Sequence, residues 1–111
     1  MARNYDRNSQ LAQEIAHNIS QFLSERLAEQ YGIVTCTRVE LTKDQHNVTA
    51  YISCYPELKN TTIREIIAPH KHDLIKHIRQ RVPMRYIPKF DFALDTASSY
   101  TDKIDKLMNK L

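Results

Sequence analysis

The sequence predicts one small α+β domain: a three-stranded mixed sheet covered on one face by helices. Three observations carry this. Apolar residues recur first at helical spacing and then at every second position, and these patterns alternate in the order helix, strand, strand, helix, strand, helix. A polar hexapeptide separates the first two strands, so they pair antiparallel as a hairpin. A helix separates the second strand from the third, and that connection favours parallel pairing. A chain of 111 residues needs no second core, since at this size roughly two-thirds of the unfolded surface can be buried in one. Residues 1–111 are expected to form a single domain.

In the opening helix, Leu11, Ile15, Ile19, Phe22, Leu23 and Leu27 recur at steps of three and four, giving one apolar stripe from about Asp6 to about Gln30. Asp6 is the expected N-cap, and Gly32 the expected left-handed residue that stops the helix. Ile33 to Leu41 is rich in Val, Thr and Ile and suits a strand. Val48, Ala50, Ile52 and Cys54 then alternate with Thr49, Tyr51, Ser53 and Tyr55, the pattern of a strand with one buried face. Thr42 to Asn47 is the polar turn between them. Strict alternation that buries Val39 and Leu41 puts Cys36 on the face opposite Cys54, which argues against a bridge between the two.

Thr62 and Glu65 read as a capping box that opens a second helix through Ile63, Ile66 and Ile67. Pro69 interrupts the pattern, so a kink or break is expected near Ala68–His70 before Leu74, Ile75, Ile78 and Val82 resume the stripe. Ile87, Phe90, Phe92 and Leu94 indicate a third strand between Met84 and Asp95. Ser99 and Asp102 are placed to cap a last helix that carries Ile104, Leu107, Met108 and Leu111.

Function is constrained first by what is missing. Gly32 is the only glycine, so the phosphate-cradling loops and dinucleotide fingerprints that need several are excluded. No run of apolar residues is long enough to cross a membrane. The start, Met1 to Asp6, lacks the apolar core of a secretory signal. A cytoplasmic protein with two free thiols is therefore expected.

The net charge of +3 conceals an uneven spread: residues 59–89 hold eight Lys/Arg against two Asp/Glu, whereas residues 1–58 hold five against seven. Lys71, Lys76, Arg79, Arg81, Arg85 and Lys89 make up most of the basic run. Such a run concentrates polyanions, and its Lys and Arg side chains suit phosphate oxygens. The alternative is a solvated face that keeps the protein soluble, or one that meets an acidic protein. Arg38 and Tyr51 are expected on the open face of the hairpin together with Tyr55; an exposed tyrosine there either stacks on a base or simply covers sheet surface.

Other constellations carry less. His70, His72, Asp73 and His77 lack further ligands at zinc-like spacing, so neither a metal nor another cofactor is expected, and these histidines read as surface residues. Asp91 and Asp95 are four apart on a strand and so share a face, and no Ser/His/Asp order with an elbow glycine accompanies them. Cys36 and His46 could be drawn as a nucleophile pair, yet nothing in the sequence places them together. No enzymatic activity is expected.

Four stretches carry a family resemblance: Leu11–Ile15; Val39 to Asp44 leading into Ala50–Ser53; Met84 to Pro88 running into Phe90, Phe92 and Asp95; and Asp95 continuing to Ile104 and Leu107. Their order resembles a type II KH domain, and their local sequence is similar to the bacterial ribosome-binding factor A family. The chain departs from the usual pattern. KH domains clamp nucleic-acid backbone with a Gly-x-x-Gly loop. This family replaces that loop with a kinked helix usually marked by Ala-x-Gly, and here Ala68-Pro69-His70 stands in that region. Ser99-Tyr100-Thr101 stands where the family has a glycine-containing segment.

The resemblance implies an assembly factor that binds the small ribosomal subunit through its ribosomal RNA during late maturation, most needed in the cold. It favours RNA as the partner of the basic run Lys71, Lys76, Arg79, Arg81, Arg85 and Lys89; Arg38 and Tyr51, read from the open sheet face, complete the expected RNA-facing residues. It also implies a maturation GTPase as a functional partner. The protein is expected to work as a monomer.

Overall fold

The computed structural model describes residues 2–58 and 61–95. Helix α1 runs Ala2–Tyr31, strand β1 Ile33–Leu41, strand β2 Asn47–Tyr55, helix α2 Ile63–Ile67, helix α3 Lys71–Arg81 and strand β3 Lys89–Leu94. A single 3-10 turn, Ala68–His70, joins α2 to α3. The sheet order is β1-β2-β3, with β1 antiparallel and β3 parallel to the central β2. The mixed α+β architecture therefore agrees with the sequence. The expected helix from Ser99 lies outside the described residues.

The helices bury one sheet face. Ile15, Ile19, Leu23 and Leu27 of α1, Val48, Ala50 and Ile52 of β2, Ile67, Leu74 and Ile78 of the α2–α3 unit, and Phe90 and Phe92 of β3 form one cluster. Burying each Leu or Ile there contributes about 1.5–3 kcal/mol. Helix α1 begins at Ala2, so Asp6 is not its N-cap. Ala2 and Arg3 are favourable helix formers, and the hydrogen bonding starts a turn earlier than the apolar stripe announces.

The other end behaves as expected: the Gly32 N–H donates to Ala28 O at 2.9 Å, and the residue sits at φ 83°. A Cβ at this position would lie 2.5 Å from the Tyr55 carbonyl oxygen. Gly32 therefore stops the helix and also lets β2 close against the start of β1.

The expectation that Cys36 and Cys54 lie on opposite faces fails, and the reason is a β-bulge. Register shifts between Cys36 and Arg38, so Cys36 pairs with Ile52 while Val39 pairs with Ala50. One extra residue resets the alternation, which leaves Cys36 and Cys54 on the same face, half-buried against the core and both free. The Thr37 hydroxyl reaches the Tyr51 carbonyl at 3.2 Å and also the Asp95 carboxylate. The Asp95 N–H donates to Ile52 O at 2.8 Å. Asp95 thus anchors the end of β3 to the bulge.

On the outer edge of β1, Ser20 Oγ of α1 accepts from the Cys36 N–H at 2.8 Å and donates back to the Cys36 carbonyl at 3.3 Å. These bonds satisfy strand groups that would otherwise be unpaired at a sheet edge.

Helix α2 starts where the capping box places it: Thr62 accepts from the Glu65 N–H at 3.2 Å. Pro69 sits in the first turn of the 3-10 segment, where its missing donor is tolerated. In β3 the apolar pattern over-reads the start and is right at the end, although the last strand residue is not covered. Ile87 precedes the strand and is 45% exposed, and Leu94 ends it at 47%.

Candidate nucleic-acid interface

Helix α3 divides its side chains among three directions. Leu74 and Ile78 enter the core. At about 100° per residue, His72, Lys76 and Arg79 fall together on one exposed flank. His77 and Arg81 fall on the opposite flank, which faces α1. There Asp73 meets Arg26 at 3.3 Å, and the His77 ring lies 5.4 Å from that of Phe22. His77 is therefore a packing residue and not the surface histidine expected. Burial pushes its imidazole below the usual range, with the Arg81 and Arg26 charges adding and Glu25 opposing.

The structure brings some of the basic residues together and separates others. Val82 ends α3 in extended conformation before Pro83, and the chain then turns through Met84, Arg85 and Tyr86. Arg79 and Arg85 line one open groove of about 450 Å³ with Pro83, Met84 and Tyr86. Lys71 stands at the other end of α3, where its charge helps hold Asp91 down. Lys89 opens β3 opposite Asn47, its N–H donating to His46 O at 2.8 Å. Among the described residues, no salt bridge engages any of the six cations from Lys71 to Lys89.

Arg38 and Tyr51 are cross-strand partners on the open sheet face. The Arg38 guanidinium lies 4.0 Å from the Tyr51 ring centroid and 3.1 Å from Glu40 Oε2. The Tyr51 hydroxyl donates to Glu40 Oε1 at 2.8 Å. That bond, more than burial, raises the phenol above its usual range. Asp91 is likewise engaged. Burial pushes its carboxyl up, but the Arg64 guanidinium at 3.0 Å, the Phe92 N–H and the Lys71 charge outweigh this and leave it below the usual range.

Arg7 and Lys43 are the residues that sequence reasoning missed. With Arg85, Leu11 and Tyr86 they line a groove of about 510 Å³, and they also line a neighbouring one of about 760 Å³ with Ala12, Val39 and Leu41. Lys43 belongs to a turn, and both residues lie in the acidic half of the chain, so counting charge along the sequence hides them. One signal was available: Arg7 stands four residues before Leu11 and eight before Ile15, in line with the apolar stripe of α1.

The other constellations do not assemble. Burial pushes the Cys36 thiol up to about 12, against the hydrogen bonds it makes near Arg38 and Tyr51. Its strand partner is Ile52, while His46 lies beyond the far end of β2 with its ring 4.4 Å from that of Tyr86. Among the described residues no group of three or more His, Cys, Asp or Glu side chains is placed to hold a metal ion, and no helix is long and apolar enough to cross a membrane.

This order of elements has known counterparts. The family model described as ribosome-binding factor A matches residues 7–108. The chain belongs to the ribosome-binding factor A family. A ribosome-binding factor A from Pediococcus pentosaceus is 31% identical over 114 residues, spanning 100% of this chain and 97% of its own. The crystal structure of ribosome-binding factor A from Thermus thermophilus superposes with TM-score 0.68 at 17% identity, covering 78% of this chain and 94% of that one. A homology model of the Thermus thermophilus factor, fitted into a cryo-EM map of its complex with the 30S subunit, superposes with TM-score 0.50 at 23% identity, covering 74% and 97%. These likenesses establish the fold. Within this family, the chain breaks the α2–α3 unit without glycine, through a 3-10 turn around Pro69.

Proposed function

We propose that this chain binds the small ribosomal subunit through its ribosomal RNA and assists a late step of that RNA's maturation. The supporting observation is the set of exposed cations on α3 and the segment after it, which make no salt bridge among the described residues. They belong to a fold whose Thermus thermophilus counterpart has been fitted into a 30S complex. Lys76, Arg79 and Arg85 supply the main phosphate contacts, with Lys71, Arg81 and Lys89 at the margins. Arg38 and Tyr51 are secondary, being held by Glu40. Lys and Arg on phosphate position a protein without reading bases, so selectivity comes from the shape of the RNA.

The mechanism is stoichiometric and involves no reaction. Tighter binding to an immature RNA conformation than to the mature one shifts their populations by that difference in affinity, and a competing factor or the mature fold releases the protein. Residues 1–111 act as one KH-like unit, as a monomer in the cytoplasm, in partnership with a maturation GTPase. Sedimentation of the tagged protein through a sucrose gradient tests this reading. It should accompany free small subunits at low salt and leave them as salt rises. Staying at the top of the gradient even at low salt would sink the assignment, and capture that survives nuclease would point to an acidic protein instead.

A further inference from the structure

We propose that the groove between the start of α1, the β1–β2 turn and the segment after α3 is a second RNA site. It holds the phosphodiester backbone of a single-stranded stretch through Arg7, Lys43 and Arg85. The proposal rests on the RNA-binding reading above and adds a place and a strandedness to it.

Three features carry it. First, three cations from three separate parts of the chain line one groove of about 510 Å³, and none of them forms a salt bridge among the described residues. Convergence from distant segments is not what a merely solvated helix face produces. Second, Asp44 is the one carboxylate lining the groove; it stays charged, but the turn holds it and it pairs with none of the three cations. Its Oδ1 accepts from the Thr42 hydroxyl at 2.6 Å and the His46 N–H at 3.0 Å, and these bonds hold its carboxyl below the usual range.

Third, the walls are tied together. The Tyr86 hydroxyl donates to the Asp44 carbonyl, Gln45 Nε2 donates to Asn8 Oδ1 at 2.9 Å, and the Lys89 N–H donates to the His46 carbonyl at 2.8 Å. Gln45 adopts φ 63° to make the turn. The groove is thus organised before any ligand arrives, which lowers the ordering cost of binding.

Strandedness follows from the neighbouring groove. Arg7 and Lys43 also line that space of about 760 Å³, where Ala12, Val39 and Leu41 offer an apolar surface. A phosphate held by the two cations brings its own base to that surface. A paired base cannot leave its stack to use it, whereas an unpaired one can.

Photocrosslinking with a short 4-thiouridine-containing oligouridylate tests the site on the full chain. Crosslinks should map to the peptides carrying Lys43–His46 and Tyr86. The Arg7→Glu/Lys43→Glu variant should lose them and bind about tenfold more weakly, its salt slope falling by about 0.7 per lost contact. Both side chains are exposed, and Lys43→Gln offers a milder second variant. Lys76→Glu/Arg79→Glu should leave these crosslinks in place.

Unchanged crosslinks and affinity in the Arg7/Lys43 variant would overturn the proposal. So would equal crosslinking of a duplex of the same length, or displacement of the oligonucleotide by an equal concentration of inorganic phosphate. Should α3 variants lose binding while the Arg7/Lys43 variant does not, only the second site falls. If the parent chain binds no RNA at all, the proposed function falls with it.

Discussion

Arg38 with Tyr51 on the sheet and Arg85 with Tyr86 after α3 are the same pair of residue types in opposite conditions. On the sheet, the Arg38 cation is answered by Glu40, which stands two residues along the same strand and so on the same face. Glu40 also takes the Tyr51 hydroxyl, and the guanidinium occupies one face of the ring. Such an exposed cluster is worth little stability, about 0–1 kcal/mol for its ion pair. It nevertheless engages the guanidinium, one ring face and the hydroxyl that the sequence offers for phosphate or base contact. After α3, Tyr86 spends its hydroxyl on the Asp44 backbone and its ring on His46, while Arg85 forms no salt bridge among the described residues and faces two grooves. Availability of a cation for phosphate is therefore set by where the nearest carboxylate stands.

The largest expected effect breaks this comparison if it fails. Lys76→Glu/Arg79→Glu/Arg85→Glu should weaken binding to small subunits on the order of a hundredfold and flatten its salt dependence, because fewer counterions are released. Arg38→Ala should change the same affinity by less than about threefold. All four positions are exposed, so melting temperatures should move little. Equal losses from the two sets, measured by sedimentation at several salt concentrations, would show that the sheet face is as available as the helix flank.

A smaller effect comes from opening the closed cluster. Glu40→Gln removes the charge that holds both Arg38 and the Tyr51 hydroxyl. The Tyr51 phenol, raised by its bond to Glu40, should return toward its ordinary value. Phenolate absorbance followed against pH, with Tyr51→Phe to assign the signal, reads this directly. RNA affinity should rise, at most a few-fold, as the guanidinium is released. A titration that does not move would mean that Glu40 is not what closes the cluster.

Much of the fold was legible because its signals are local. Gly32 after an apolar stripe, Thr62 three residues before Glu65, Pro69 inside a helical pattern, and the alternation of Val48, Ala50 and Ile52 each report on a few neighbouring residues. The structure places each as read. The bulge near Thr37 was illegible because its fixing contacts come from Tyr51 and Asp95, fourteen and fifty-eight residues away, and a one-residue shift inverts every assignment on one side of it. The site was half legible for the same reason. A run of cations along one segment shows in a charge count, whereas Arg7, Lys43 and Arg85 share a groove only once three distant segments meet. Glu40 was visible beside Arg38, but its grip on Tyr51 depends on strand register.

The smallest expected effect lies on the flank of α3 that faces α1. His77 packs against Phe22 there, and its Nε2 is buried with no hydrogen-bond partner among the described residues. A proton on that nitrogen has no acceptor, and burial together with the Arg81 and Arg26 charges favours the neutral ring. In the unfolded chain the group titrates near 6.5. Its folded value lies lower, so the unfolded state takes up a proton first as pH falls. The stability associated with neutral His77 is therefore complete above 6.5 and is lost as pH falls from there through the folded value. His77→Phe keeps the ring contact and removes the proton. Its denaturation midpoint should change less than the parent's between about pH 7.5 and about pH 5, while RNA affinity stays the same. An identical pH response in parent and variant would mean that the proton is taken up elsewhere. A loss of RNA affinity would mean that this flank also meets RNA, and the division of α3 into a packing side and a binding side would not hold.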